Sequence, residues 1–246
     1  MGGASRNEKR RKQEEADRRL AAAGIRPPKK PNRTPVIVVA AVLAVAVVVG
    51  LWVWLGRGSE NVEATYTATA DGAVITAGDG PVVVDVYEDY LCPVCERFEE
   101  RYGDEITTAL NEGRITVRYH SVAILDRLTD PPGYSTRAAN AAICSVSAGI
   151  FPRYHQALFD EQPAEGSAGL TNEQLVELGT ELGAQGGFAA CVQNGTHADA
   201  VAAETEKATN NPALQNADGR FGTPTVMVDG QRVDLNNGNW LQDALA

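Results

Sequence analysis

Cysteine and histidine are scarce in this sequence, at four and three in 246 residues. Only Cys92 and Cys95 stand close together. Cys144 and Cys191 are far apart, so a four-cysteine zinc site has no second close pair to complete it. His120, His155 and His197 share no ligand spacing, and no internal repeat is present. Positive charge is short over most of the chain: residues 56–246 hold eleven Lys and Arg against twenty-eight Asp and Glu, a net of −17. The other eleven basic residues crowd into residues 1–35 against four acids, a net of +7. Residues 36–55 lack charge altogether. Apolar residues are in normal supply at 43%, which excludes a largely disordered chain and leaves room for one good-sized domain with appendages.

The uncharged stretch, Val36 to Leu55, is twenty apolar residues ending Leu51-Trp52-Val53-Trp54-Leu55. At 1.5 Å per residue it just spans a hydrocarbon core of about 30 Å, with tryptophans where an aromatic belt belongs. Gly56-Arg57-Gly58-Ser59 lacks the small-x-small pattern of a cleaved signal, so the expectation is a single uncleaved transmembrane anchor. The basic segment 1–35 then stays cytoplasmic as a mostly solvated, intermittently helical tail, and the acidic part is exported to a compartment where disulfides persist. Beside a membrane span, that basic charge reads as topology control and anionic-lipid contact, and no nucleic-acid partner is expected. Residues 56–70 read as a polar tether.

The sequence centres on Asp89-Tyr90-Leu91-Cys92-Pro93-Val94-Cys95. Val82–Tyr87 before it reads as a buried strand. Arg97–Asn111 after it reads as a helix, with Phe98, Tyr102, Ile106 and Leu110 at steps of four. Cys92 therefore sits at a helix N-terminus, where unpaired N–H groups and the helix dipole favour a thiolate. Pro93 suits the first helical turn, and Cys95 lies where it can close a disulfide with Cys92. A redox pair is the preferred reading; a half zinc site or a purely structural pair is the alternative.

Further along, Ala73–Thr76 reads as a first strand and Ile115–Tyr119 as a third. Asp126–Tyr134 reads as a loop. From Ser135, taken as a helix cap, the chain turns helical for some eighty residues, with Thr171 and Gln174 placed as a capping box. Thr225–Val228 and Gln231–Val233 read as a hairpin and Trp240–Leu245 as a short closing helix. His120 and His155 are assigned to packing or hydrogen bonding, and the Asn194-Gly195-Thr196 triplet to chance. In an exported domain, Cys144 and Cys191 read as a structural disulfide, free buried thiols being the alternative.

Asp-Tyr-x-Cys-Pro-x-Cys after a Val-rich strand, together with Gly222-Thr223-Pro224-Thr225 before a strand, resembles the DsbA-like branch of the thioredoxin superfamily over roughly residues 71–246. The resemblance implies an α/β thioredoxin-like fold with an inserted α-helical subdomain at about 135–210. It also implies a thiol:disulfide oxidoreductase whose site residues are Cys92, Cys95, the cis Pro224 and Thr223, with no metal or cofactor. Implied partners are reduced or unfolded exported proteins and a membrane redox partner, DsbB-like or similar to vitamin K epoxide reductase. Rival readings are an isomerase or reductase held reduced by a donor, and a tethered binding or chaperone module. Two departures stand out. Val94 occupies a position where many members carry His, which implies a milder oxidant. Val86 occupies the position, six before the first cysteine, where many bury a carboxylate. Asp85 is expected on the opposite face, and neither Glu88 nor Asp89 is assigned the missing role.

Overall fold

The computed structural model describes residues 3–24 and 62–246; the proposed anchor, residues 36–55, lies outside them. Two units are present, residues 1–60 and 61–246. Among the described residues, no helix is long and apolar enough to cross a membrane.

In the first unit, helix α1 (Gly3–Ala22) is exposed wherever its side chains are described. Glu8–Lys12 at 2.9 Å and Glu15–Arg19 at 3.2 Å are spaced i,i+4, each contributing about 0.2–0.5 kcal/mol to a helix. The helix is continuous where an intermittent one was expected, because such pairs recur along an otherwise polar, non-β-branched run.

The second unit is built on a six-stranded sheet. Its strands are β1 (Ala68–Asp71), β2 (Val74–Ala77), β3 (Val82–Glu88), β4 (Ile115–Ser121), β5 (Thr225–Val228) and β6 (Gln231–Arg232). Their order is β1-β2-β4-β3-β5-β6; β3 and β4 run parallel, and every other neighbouring pair is antiparallel. β3 is central, pairing Val84 with Val117 on one side and Val86 with Val226 on the other. A strand covered on both faces needs a near-continuous apolar run, which Val82–Tyr87 supplies. β1 lies in the stretch read as a tether. It is an exposed edge strand joined to β2 by a tight turn at Gly72-Ala73, with Gly72 at φ 58°, and its Ala-Thr-Ala-Asp sequence carries too little apolar signal to announce itself. The turn before β3 needs glycine at position 80, since a Cβ there would run into the backbone of Arg114 and Ile115.

Helix α2 (Pro93–Asn111) starts four residues before the expected Arg97, with Pro93 at its first position. It lays Cys95, Phe98, Tyr102, Ile106 and Leu110 onto the sheet, each large apolar residue contributing roughly 1.5–3 kcal/mol by burial. Five helices follow β4: α3 (Tyr134–Ser147), α4 (Phe151–Asp160), α5 (Asn172–Glu181), α6 (Phe188–Gln193) and α7 (Ala198–Thr209); α8 (Trp240–Ala244) closes the chain. Ser135 is not the cap of α3. Gly133, at φ 111°, holds that place, while the Asp126 carboxylate accepts from the Thr136 N–H (2.8 Å) and hydroxyl (2.6 Å). The Thr171–Gln174 capping box is formed at α5. Buried Ala138, Ala139, Ala141 and Ala142 let the other helices approach α3 closely. The helical block is tied to the sheet through His120, which contacts Glu204 of α7 at 2.7 Å and Asp85 of β3 at 2.9 Å.

Candidate functional site

β3 stops at Glu88, and three residues later α2 begins with Cys92 as its N-cap, in extended conformation with φ −80° and ψ 114°. The intervening loop is fixed by Asp89, whose carboxylate accepts from the backbone N–H of Leu91 and of Leu125, both at 2.9 Å. From the loop after α4, the Gln162 amide donates to the carbonyls of Tyr90 (3.0 Å) and Cys92 (3.3 Å), a clamp no local pattern in the sequence signals. Val94, between the cysteines, is 47% exposed.

Cys92 and Cys95 are both free thiols. Across from them, the Thr223–Pro224 peptide is cis, and as a thiol Cys92 donates to the Thr223 carbonyl oxygen at 3.4 Å. All four residues read from the sequence as the site therefore fall on the Cys92 helix terminus and on the loop entering β5, which faces it. The two sulfurs differ. Cys92 is pulled down to about 6, first by the hydrogen bond from the Cys95 thiol. Burial opposes the drop, while the Thr223 side chain and the backbone N–H groups of Cys95 and Val94 add to it. Cys95, fully buried, is pushed well up by burial and then by its bond to Cys92 and the charges of Cys92 and Glu88. One thiolate and one protonated thiol, side by side, form an attacking sulfur and a reluctant leaving group.

The carboxylate beneath this pair is Glu88, four residues before Cys92 rather than six. It is fully buried, and burial pushes it up to about 8; His155 opposes the rise, while Glu99, Cys92 and Asp89 reinforce it. Asp85, by contrast, goes to the other face, where Arg118 (2.7 Å) and His120 (2.9 Å) hold it. His155 is not only packed. Its Nδ1 lies 2.9 Å from the Tyr90 hydroxyl and 3.5 Å from Glu88, and its Nε2 lies 3.6 Å from Glu99. Glu99 was legible in principle, standing four residues after Cys95 and three before Tyr102 on the buried stripe of α2.

Glu88, Glu99 and His155 are also the buried group that could gather round a cation. One atom from each group lies within 4.8 Å of the others, but the imidazole turns a different nitrogen toward each carboxylate, whereas a ligating His turns a single nitrogen to a metal. A second grouping, Cys144, Cys191 and His197, has its sulfurs joined in a disulfide linking α3 to α6, with Cα atoms 5.9 Å apart. Closing those 47 residues stabilises by about 4 kcal/mol in the chain-entropy model.

Residues 68–245 match the family model described as thioredoxin. DsbG from Mycobacterium tuberculosis, a disulfide bond oxidoreductase solved in reduced form, is 33% identical with a TM-score of 0.59, over 71% of this chain and 86% of that one. Reduced DsbA from the same organism is 31% identical with a TM-score of 0.59, over 67% and 80%. The serine/threonine-protein kinase PknE of M. tuberculosis is 31% identical over 177 residues, 70% of this chain. The match spans 31% of that kinase's length, so what its name says of the whole protein stays with it. By the family model and by the fold shared with these oxidoreductases, the chain belongs to the thioredoxin superfamily, in its DsbA-like branch.

Proposed function

We propose that the protein is a thiol:disulfide oxidoreductase anchored by residues 36–55, with its acidic domain outside the cytoplasm, where it introduces disulfides into reduced, unfolded exported proteins. The observation that carries this reading is the asymmetry of the pair, Cys92 lowered to about 6 beside a Cys95 raised well above its ordinary value. In the oxidised enzyme, a substrate thiolate attacks Cys92 Sγ. The Cys92–Cys95 bond breaks, its electron pair goes to Cys95, and that sulfur takes up a proton. A second substrate thiolate then attacks the substrate sulfur of the mixed disulfide and expels Cys92 as its thiolate. The substrate leaves oxidised and the enzyme is left reduced. The backbone at Thr223 lies beside Cys92, where it can pair with an extended substrate. A quinone-linked membrane protein, DsbB-like or similar to vitamin K epoxide reductase, would return the pair to the disulfide.

The test uses the full chain and a reduced, unfolded substrate. Disulfides should form in the substrate, Cys92→Ser should abolish this, and Cys95→Ser should accumulate mixed disulfides on Cys92. An oxidised protein that leaves the substrate reduced would refute the oxidase reading. Thiol trapping in cells separates the directions: an oxidised pair supports an oxidase and a reduced pair an isomerase or reductase. A pair inert to both fits a binding module.

A further inference from the structure

His120 stands between two carboxylates. Its Nδ1 lies 2.7 Å from Glu204 Oε1 on α7, and its Nε2 lies 2.9 Å from Asp85 Oδ1 on β3. An ionised carboxylate only accepts, and a neutral imidazole has one N–H to give, so only an imidazolium makes both bonds together. The residue is buried, yet it lines a groove of about 530 Å³ with Asp71, Arg118, Glu204 and Lys207, through which protons can exchange. Its ring lies flat on that of Tyr87, with centroids 4.0 Å and planes 16° apart. Tyr87 in turn meets Phe221 edge to face, at 6.0 Å and 83°. Phe221 stands two residues before Thr223, whose carbonyl faces Cys92. Tyr87 also pairs with Thr225 across β3 and β5, and the Thr225 hydroxyl donates to the Gly222 carbonyl at 2.7 Å. One residue of β3 therefore supports both ends of the loop from Phe221 to Pro224.

We propose that the His120 imidazolium is a positioning residue for this loop, fixing through Tyr87 and Phe221 the backbone that receives substrate, and that loss of its proton weakens substrate binding. The inference rests on the reading of the loop as the edge on which substrate docks. A cation over the face of a tyrosine is attracted by the ring quadrupole, and a neutral imidazole loses that attraction. Deprotonation also takes one of the two hydrogen bonds from an ionised, buried carboxylate, which is costly, so the cluster rearranges. Tyr87 shifts with it, and Phe221 and the loop follow.

Charge reaches His120 from several elements: Asp85 and Tyr87 on β3, Arg118 on β4, Glu204 and Lys207 on α7, and Asp71 at the end of β1. β2, which pairs Val74 with His120, has no titratable side chain. Tyr87 is pushed up to about 12, first by burial and then by Asp85 and Glu204, and stays neutral. Asp85 and Glu204 are both held below the ordinary carboxylate range. Burial opposes this in Asp85 but is outweighed by His120 and Arg118, and in Glu204 the hydrogen bond to His120 leads. In His120, burial pulls down and the two carboxylates outweigh it, so its folded value lies above the ordinary 6.5. The support is therefore complete below about 6.5 and is lost as pH rises through that higher folded value.

The test uses the oxidised full chain, in which Cys92 does not titrate, and an extended peptide carrying Ser in place of Cys. Binding is read by fluorescence anisotropy between pH 5 and 9. Affinity should fall about two- to fivefold as pH rises, the effect of taking a cation off an aromatic face. His120→Gln should bind at that weaker level at every pH. Glu88 and Asp89 titrate in the same range, at about 8 and about 6, so a third variant assigns the fall. Glu204→Gln keeps the shape and removes one carboxylate; it should move the fall to lower pH, which a merely structural role would not do. Its reduction by dithiothreitol, which does not use the loop, should keep the wild-type rate. In parallel, NMR should show the Phe221 and Thr223 amides titrating with the His120 ring, a readout that needs no substrate and serves if His120→Gln misfolds. Affinity independent of pH, or a fall unmoved in Glu204→Gln, would overturn the proposal. Amides that ignore the His120 titration would refute the relay alone, whereas no peptide binding at any pH would refute the docking role of the loop and the inference with it.

Discussion

Alkylation of Cys92 as a function of pH bears most directly on the site. With a midpoint of about 6, thiolate outnumbers thiol by about ten to one at pH 7, whereas a free cysteine near 8.5 is thiolate in only about one molecule in thirty. The rate should therefore rise about tenfold from pH 5 to pH 7 and then level off, while a free thiol keeps climbing to pH 9. The same shift bears on redox poise. It stabilises the reduced pair at pH 7 by about 1.4 kcal/mol, trimmed by solvent screening to about 1 kcal/mol, or on the order of 20 mV toward a stronger oxidant. That gain is small, and Val94 supplies no positive charge to enlarge it. The domain should thus be a mild oxidant, with Cys92 as its reactive sulfur and the buried Cys95 silent. The assay is iodoacetamide labelling of the reduced chain across pH 4–10, with the labelled site located by peptide mapping. A midpoint at or above about 8.5 would mean that neither the helix terminus nor Cys95 activates Cys92, and the oxidase reasoning would fail.

Glu88 makes stability depend on pH. Its folded value lies above its ordinary one, so the stability it confers is complete below about 4.5 and is lost as pH rises toward 8. Glu88→Gln should match wild type in melting temperature near pH 4.5 and exceed it at pH 8; a deficit at pH 8 would contradict the burial argument. Replacing Cys144 and Cys191 with Ala removes about 4 kcal/mol and, for a domain of this size, should lower the melting temperature by roughly 8–16 °C while sparing Cys92 alkylation. Two extra free thiols in the non-reduced, denatured protein would instead remove the bridge. If residues 36–55 anchor the chain with the basic end inside, protease added outside cells should digest the domain and spare residues 1–35; a soluble product beginning near residue 58 would refute this.

What the sequence determined by itself is local. Val82–Tyr87 is apolar at every position but Asp85, which is enough for a central strand; Pro93 and the four-residue stripe announce α2; Thr171 and Gln174 cap α5. Cys92 at a helix start follows from these alone. β1 was missed because an exposed edge strand carries little apolar signal, and Ser135 was misplaced because the N-cap of α3 is Gly133, while the Thr136 N–H in the first turn is met by Asp126, nine residues upstream of Ser135 and outside the helix. The tertiary structure alone decided which acid lies beneath the cysteines. Asp85 and Glu88 are three residues apart on one strand, yet Arg118 and His120 hold the first while Glu88 is sealed in the core with His155 and Glu99. A carboxyl keeps its proton because of what surrounds it in space, and here the surroundings of Glu88 come from a helix more than sixty residues further along the chain.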